Sequence, residues 1–95
     1  MFVVTLTYTA PLATVDELVP AHRGWLAEHY SAGVFVASGR RVPRTGGVIL
    51  ARGLSREELD RIMSTDPLDA VRTYEVTEFV PSMTAPELAS VAETL

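Results

Sequence analysis

VFVASGRRVPRTGGVILA, residues 34–51, consists of two apolar runs joined by a polar, arginine-rich connection. The runs Val34 to Ser38 and Gly47 to Ala51 are short, flanked by glycine and rich in β-branched residues, which is typical of strands. The connection from Gly39 to Gly46 contains Pro43 and shows no helical pattern. This stretch therefore predicts a β-hairpin with a long loop in the middle of the chain.

The segments on both sides of the hairpin each contain one main helix and one strand, and a short C-terminal helix follows the last strand. Residues 2–8 (FVVTLTY) and 71–80 (VRTYEVTEFV) are rich in β-branched and aromatic residues and predict the outer strands. The resulting order, β-α-β-β-α-β, is the ferredoxin-like plan of a four-stranded antiparallel sheet with both helices on one face. We therefore predict an α+β fold, and a single domain over residues 1–95, because a chain this short has room for one core.

The first helix is predicted to follow a turn. Thr14 and Glu17 match the capping-box pattern of a helix start, but Pro20 inside a helix would remove a backbone hydrogen bond. We therefore expect a short turn near 14–18. The main helix would then carry Pro20 in its first turn and end at Gly33.

Two further capping boxes mark the later helices. Ser55 with Glu58 precedes a predicted second helix over residues 56–64. Thr84 with Glu87 predicts a short C-terminal helix. The apolar positions of this last helix are Leu88, Val91, Ala92 and Leu95.

A sheet with both main helices on one face leaves the other face in need of cover. One short C-terminal helix covers little of it, whereas two sheets packed face to face would bury both open faces. We therefore predict a homodimer.

Composition narrows the possible chemistry. The net charge is −4, cysteine is absent and all eight basic residues are arginine, which excludes thiolate metal sites and a Schiff-base lysine. His22 and His29 are the only side chains whose ordinary titration lies near neutral pH.

The acidic balance argues against nucleic acid as a partner, and no apolar run is long enough for a membrane helix. Without a basic leader at the start, a cytoplasmic protein is expected, and the lysine-free usage indicates a GC-rich bacterial gene.

Four short motifs follow one another in the chain: Pro20-Ala21-His22, Ala37-Ser38-Gly39, Gly46-Gly47 and Thr65-Asp66-Pro67-Leu68. Their order and spacing resemble the YCII-related (YciI-like) family over most of residues 2–81. Arg40 stands where that family often has proline, so the shape of the 39–46 loop is open. The resemblance implies a dimeric ferredoxin-like α+β barrel and a cleft that holds a His–Asp pair. A few members of the family act as dehydrochlorinases in chloroaromatic breakdown.

On this resemblance the candidate catalytic pair is His22 and Asp66. The start of a helix disfavours a protonated imidazole, so His22 there is suited to accept a proton. Each residue also has a structural alternative: a buried histidine bonded to the backbone, and an aspartate that caps the turn beginning at Pro67.

Substrate binding is expected close to this pair. The assigned residues are Ser38, Gly39, Arg40 and Trp25. An arginine guanidinium binds a carboxylate through two hydrogen bonds, so an acidic ligand is expected. Which of Arg40, Arg41 and Arg44 faces the cleft is left open.

The predicted function is an enzyme without cofactor or metal. His22 would remove a proton from a small unsaturated or carboxylate-bearing substrate, as in a lyase, an isomerase or a dehydrochlorinase. One alternative is a dimeric module that binds a small acidic metabolite without converting it. Another is a dimer in which His22 and Asp66 only support the fold.

Overall fold

The structure is a computed structural model and describes residues 1–93. Its strands are β1 (Phe2–Tyr8), β2 (Phe35–Arg40), β3 (Gly46–Ala51) and β4 (Arg72–Glu78). Its helices are α1 (Leu12–Ser31) and α2 (Arg56–Ser64), and short 3₁₀ helices span Asp69–Val71 and Pro86–Val91. The predicted α+β class and the β-α-β-β-α-β order are confirmed.

The four strands form one antiparallel sheet in the order β2-β3-β1-β4. Val4 of β1 lies between Ile49 of β3 and Val76 of β4. Since side chains alternate between the two faces of a sheet, these residues share one face. Val4 and Ile49 belong to a buried cluster that also contains Trp25 of α1 and Leu59 of α2. Both helices therefore cover the same face.

The opposite face of the sheet is less buried. Thr5, Val48 and Leu50 on this face are each only partly buried, and Glu75 and Thr77 are exposed. The centre of this face, on the side of the sheet away from the core, is therefore partly apolar.

The predicted turn near 14–18 is wrong, because α1 runs without interruption from Leu12 to Ser31 with Pro20 inside it. Proline within a helix costs about 3 kcal/mol. Burial offsets this cost, since Val15 before the proline and Trp25 after it are both buried. Tertiary packing on both sides of Pro20 thus holds one continuous helix.

Strand β2 is longer than predicted, because it continues past Ser38 to Arg40. Gly39 pairs with Val48 and Arg40 pairs with Gly47 on β3. Both residues were expected in the loop, but this pairing places them on the edge strand of the sheet. The connection to β3 is accordingly shorter.

Only one of the three capping boxes forms. The Ser55 hydroxyl accepts the Glu58 N–H, and the Glu58 carboxylate accepts the Ser55 N–H, both at 3.1 Å. Thr14 does not cap, since α1 begins after Pro11. Thr84 does not cap either, because Pro86 occupies the first position of a 3₁₀ helix rather than an α-helix.

The fourth strand and the C-terminal helix also differ at their ends. Strand β4 covers Arg72–Glu78, shorter than the predicted 71–80, because a 3₁₀ turn precedes it. Leu95, assigned to the C-terminal helix, lies outside the described residues.

Candidate active site

His22 lies in the middle of α1 rather than at its start, where it was expected, and the structure brings it together with Asp66. His22 Nδ1 lies 2.7 Å from Asp66 Oδ1, and the Asp66 side chain is completely buried while 17% of the His22 side chain is exposed. Asp66 follows the end of α2, and its Oδ1 also accepts the Leu68 N–H at 3.0 Å. The carboxylate therefore holds its own turn and orients the imidazole of α1.

The environment of Asp66 favours its ionised form. Burial by itself raises the pKa of Asp66, but the hydrogen bonds from His22 and the Leu68 N–H and the charge of Arg72 outweigh it. Together they hold the pKa of this carboxyl below its ordinary value of 3.8. An ionised carboxylate only accepts hydrogen bonds, so His22 Nδ1 is the donor of this bond, and in a neutral imidazole of that tautomer Nε2 carries the lone pair.

Arg72 was not identified from the sequence, although it contacts the candidate pair. Its side chain is 1% exposed, and its Nη2 lies 3.3 Å from Asp66 Oδ2 and donates to the Met63 carbonyl at 2.7 Å. Nη1 lies 3.1 Å from Asp69 Oδ1. Arg72 pairs with Tyr8 at the start of β4, on the core-facing side. A charged residue at a core-facing position of a predicted strand is the signal that could have identified it.

His22 lines a cavity of about 530 Å³ between α1 and the sheet. The cavity also contains Ser38, Gly39 and Arg40 from β2, which sequence analysis had assigned to substrate binding. On the sheet, Ser38 and Arg40 lie on the same face as Ile49 and Leu6, which is the face covered by the helices. The additional strand residues thus direct Arg40 towards the cavity.

The Ser38 side chain has a hydrogen-bond partner, whereas position 39 does not require a glycine. The Ser38 hydroxyl lies 2.7 Å from the Tyr30 hydroxyl, so α1 orients it. A Cβ at Gly39 would meet no atom within 4 Å, so packing does not require glycine there. At Gly46 a Cβ would lie 1.7 Å from the Leu6 carbonyl oxygen, so the close approach of β3 to β1 does require glycine.

Trp25, the fourth predicted binding residue, has a different place. Its indole stacks on the His22 ring at 5.5 Å and 28°, and Nε1 donates to Thr65 Oγ1 at 2.9 Å. It lines a separate, more open groove with His29 and Arg61 rather than the cavity of His22. Trp25 therefore contacts the His22 ring without lining the cavity.

The cavity carries positive charge in an acidic protein. Arg23, Arg40 and Arg44 line it, and Asp16 is the one carboxylate among its lining residues. Arg44 is hydrogen-bonded to Asp16 and holds the pKa of that carboxyl below its usual range. Within residues 1–93, neither Arg23 nor Arg40 has a carboxylate at ion-pair distance.

Arg41, which follows Arg40 at the end of β2, has different contacts. Its guanidinium donates to the Thr7 hydroxyl at 3.3 Å, and it does not line the cavity. Of the three loop arginines considered from the sequence, Arg40 and Arg44 therefore face the cleft. Arg23, next to His22, joins them and was not identified from the sequence.

The described part of the chain contains neither a metal-binding cluster nor a membrane-spanning helix. Residues 1–93 contain no cluster of three or more histidine, aspartate or glutamate side chains suited to bind a metal ion. No helix in this range combines the length and apolar character needed to cross a bilayer.

Comparison with known proteins identifies the class. The model of the YCII-related domain family matches residues 1–81, so the chain belongs to this family, as its motifs had predicted. A similar solved structure is the 5-chloro-2-hydroxyhydroquinone dehydrochlorinase of Burkholderia phenoliruptrix, in complex with 2,5-dihydroxybenzoquinone. The TM-score is 0.69 at 15% identity, over 83% of this chain and 93% of that one, which shows a shared fold. No curated protein sequence matches this chain significantly.

Proposed function

We propose that this chain is an enzyme in which His22 removes a proton from a small acidic substrate. The observation that carries the proposal is the 2.7 Å contact of His22 Nδ1 with the buried Asp66, at the wall of a cavity. Because Nδ1 is engaged, Nε2 is the ring nitrogen left to act as the base. The imidazolium formed by proton transfer is stabilised by the adjacent carboxylate.

The charges of the cavity support an anionic substrate. Of the three arginines that line the cavity, Arg23 and Arg40 have no carboxylate partner among the described residues, and either is suited to bind a carboxylate or phenolate by charge-assisted hydrogen bonds. The negative charge that develops on the substrate after proton removal meets the same groups and the Ser38 hydroxyl. Stabilisation of such charge by fixed donors is commonly the largest contribution to catalysis.

The reaction class is a lyase, isomerase or dehydrochlorinase without cofactor. In a dehydrochlorination, His22 takes the proton, the electron pair of the broken bond forms a new double bond, and chloride leaves with the electrons of the C–Cl bond. No oxidant or reductant is needed. The similar structure supports this class, since it is named a dehydrochlorinase and holds a small dihydroxyquinone.

We further propose that the protein is a homodimer whose sheets pack face to face. The open face of the sheet presents Val48 and Leu50, which are partly buried in a single chain. A second copy would bury this face, as in other two-sheet packings.

The test is a panel of chlorinated hydroquinones and small unsaturated acids, followed by chloride release and by proton exchange with deuterated water. We expect at least one compound to react with the wild-type protein and to lose this reactivity in His22→Gln. The matched control is His29→Gln, since the ring of His29 packs on Trp25 outside the cavity.

The main alternative, a binding module, gives a different result in the same panel. Native mass spectrometry would then detect a tight complex with one of these acids, while neither chloride nor deuterium exchange is observed. That combination would contradict the enzymatic proposal and leave the cavity as a binding site.

A further inference from the structure

We propose that Arg72 is a positioning residue for His22, whose buried positive charge keeps the His22–Asp66 pair with one proton rather than two at neutral pH. The inference rests on the proposed role of His22 as a base. It adds a third residue, which contacts the second carboxylate oxygen of Asp66, to the pair that the family resemblance implies.

The contacts place Arg72 behind Asp66. The two oxygens of Asp66 are divided between the neighbours: Oδ1 meets His22 Nδ1 at 2.7 Å, and Oδ2 meets Arg72 Nη2 at 3.3 Å. Asp66 is held in this orientation from both ends. Rotation of the carboxylate would break the contact to Arg72, so the imidazole also keeps its orientation.

The charges of Arg72, Asp66 and His22 determine how many protons the pair holds. With Arg72 present, the positive guanidinium and the negative Asp66 balance, and a neutral His22 adds no charge to a buried site. Without Arg72, Asp66 would be a buried carboxylate with no permanent counter-charge, which is costly. The pair would then take up a proton from solvent. That proton would lie on the imidazole, since histidine is ordinarily more basic than aspartate by about 2.6 pH units.

Stability alone does not explain an arginine at this position. A buried ion pair is often no more stabilising than apolar residues of the same volume. The Arg72 Nε is buried and has no hydrogen-bond partner in the described structure. An unpaired buried donor costs about 1–3 kcal/mol. A charged side chain kept here at that cost is consistent with a role in the charge of the site.

Other charged or titratable groups surround the pair from different directions. Those lining the cavity with His22 are Arg23, Arg40, Arg44, Asp16 and Tyr8. On the far side, Arg72 meets the Asp69 carboxylate, which is 54% exposed, and lies over the Tyr74 ring at 5.0 Å. Within residues 1–93, Asp66 and Arg72 are the buried charged residues, so Arg72 is the permanent counter-charge least screened by water.

The test follows the imidazole directly and requires no substrate. Protein labelled with ¹⁵N-histidine is titrated by NMR, and the ring nitrogen shifts of His22 report its protonation and tautomer. We compare the wild-type protein with Arg72→Gln and Arg72→Lys. The matched control is Arg56→Gln, which removes an exposed arginine paired with Asp60 on α2.

We expect Arg72→Gln to move the midpoint of the His22 titration to higher pH by about one unit, within the range of about 1–3 units seen for close charges. Arg72→Lys, which keeps the charge, and Arg56→Gln should leave it within a few tenths of a unit. An unchanged midpoint in Arg72→Gln would overturn the inference. If Arg72→Gln does not fold, a rise of half a unit or more in Arg72→Lys would overturn it instead.

This result is separate from the proposed function. An inactive protein whose His22 midpoint still responds to Arg72 would remove the enzymatic proposal and keep the coupling. A catalytic His22 whose midpoint ignores Arg72 would do the reverse.

Discussion

Trp25 of α1 donates its indole N–H to the hydroxyl of Thr65 at 2.9 Å, one residue before Asp66. The same indole stacks on His22 at 5.5 Å. One side chain thus links the helix that carries the proposed base to the turn that carries its carboxylate. This contact fixes the relative position of two residues that lie 44 positions apart in the chain.

Removal of this hydrogen bond should loosen the site. Trp25→Phe keeps a ring near His22 but leaves the Thr65 hydroxyl without the indole donor. We expect the free energy of unfolding to fall by about 0.5–1.5 kcal/mol for the lost hydrogen bond. The smaller ring should lower it further, because it leaves a cavity. Chemical denaturation measures this free energy. In a double-mutant cycle with Thr65→Val the two losses should be less than additive. Strict additivity would show that this bond contributes nothing.

Acid should destabilise the fold through Asp66. Its pKa is lower in the folded chain than the ordinary 3.8, so the native state binds fewer protons than the unfolded chain. This contribution to stability is fully present above about pH 3.8 and is lost as the pH falls towards the folded-state pKa of Asp66. The measurement is the free energy of unfolding between pH 6 and 3.

The control separates Asp66 from the exposed carboxylates. In Asp66→Asn the acid-dependent part of the loss should shrink clearly, and the variant should be less stable at neutral pH, because Arg72 loses its buried partner. Asp16→Asn removes an exposed carboxylate, whose pair with Arg44 is screened by solvent, and should change the pH profile little. Equal profiles for wild type and Asp66→Asn would contradict the assignment.

Arg40 should carry much of the affinity for acidic ligands. Arg40→Ala is expected to weaken a bound carboxylate by about 1.5–3 kcal/mol, the value of a charge-assisted hydrogen bond. Isothermal titration calorimetry measures the change. Arg41→Ala is the matched control, since Arg41 donates to Thr7 and does not line the cavity. Affinity retained in Arg40→Ala, or lost equally in both variants, would count against this role.

The open sheet face should carry the dimer contact. Leu50→Glu places a charge in the centre of this face and should convert the dimer to a folded monomer, as measured by analytical ultracentrifugation and circular dichroism. Val42→Glu introduces the same charge in the β2–β3 loop, at a residue that is 92% exposed, and should leave the mass unchanged. A wild-type protein that is monomeric at micromolar concentration would disprove the proposed dimer.

The sequence predicts the parts of this fold that depend on local pattern. The hairpin, the order of elements and the Ser55 capping box follow from alternation and from a short-range hydrogen-bond motif. Asp66 could be linked to His22 only through the family resemblance, because a contact over 44 residues has no local signal.

The remaining differences are effects of long-range structure. Pro20 remains inside α1 because Val15 and Trp25 are buried on either side of it, which no local rule for proline includes. The strand pairing of Arg40 with Gly47 depends on β3, and only this pairing shows which loop arginine lies in the cavity. Arg72 was missed because the partners of its guanidinium come from α2 and the following turn.

The most direct test of the central claim is the rate at which the protein exchanges a substrate proton with deuterated water, compared between wild type and His22→Gln. We expect the wild-type protein to exchange the proton about 10²–10⁴-fold faster, the usual contribution of a positioned general base. His29→Gln should match the wild type. Equal rates for wild type and His22→Gln would contradict the assignment of His22 as the base.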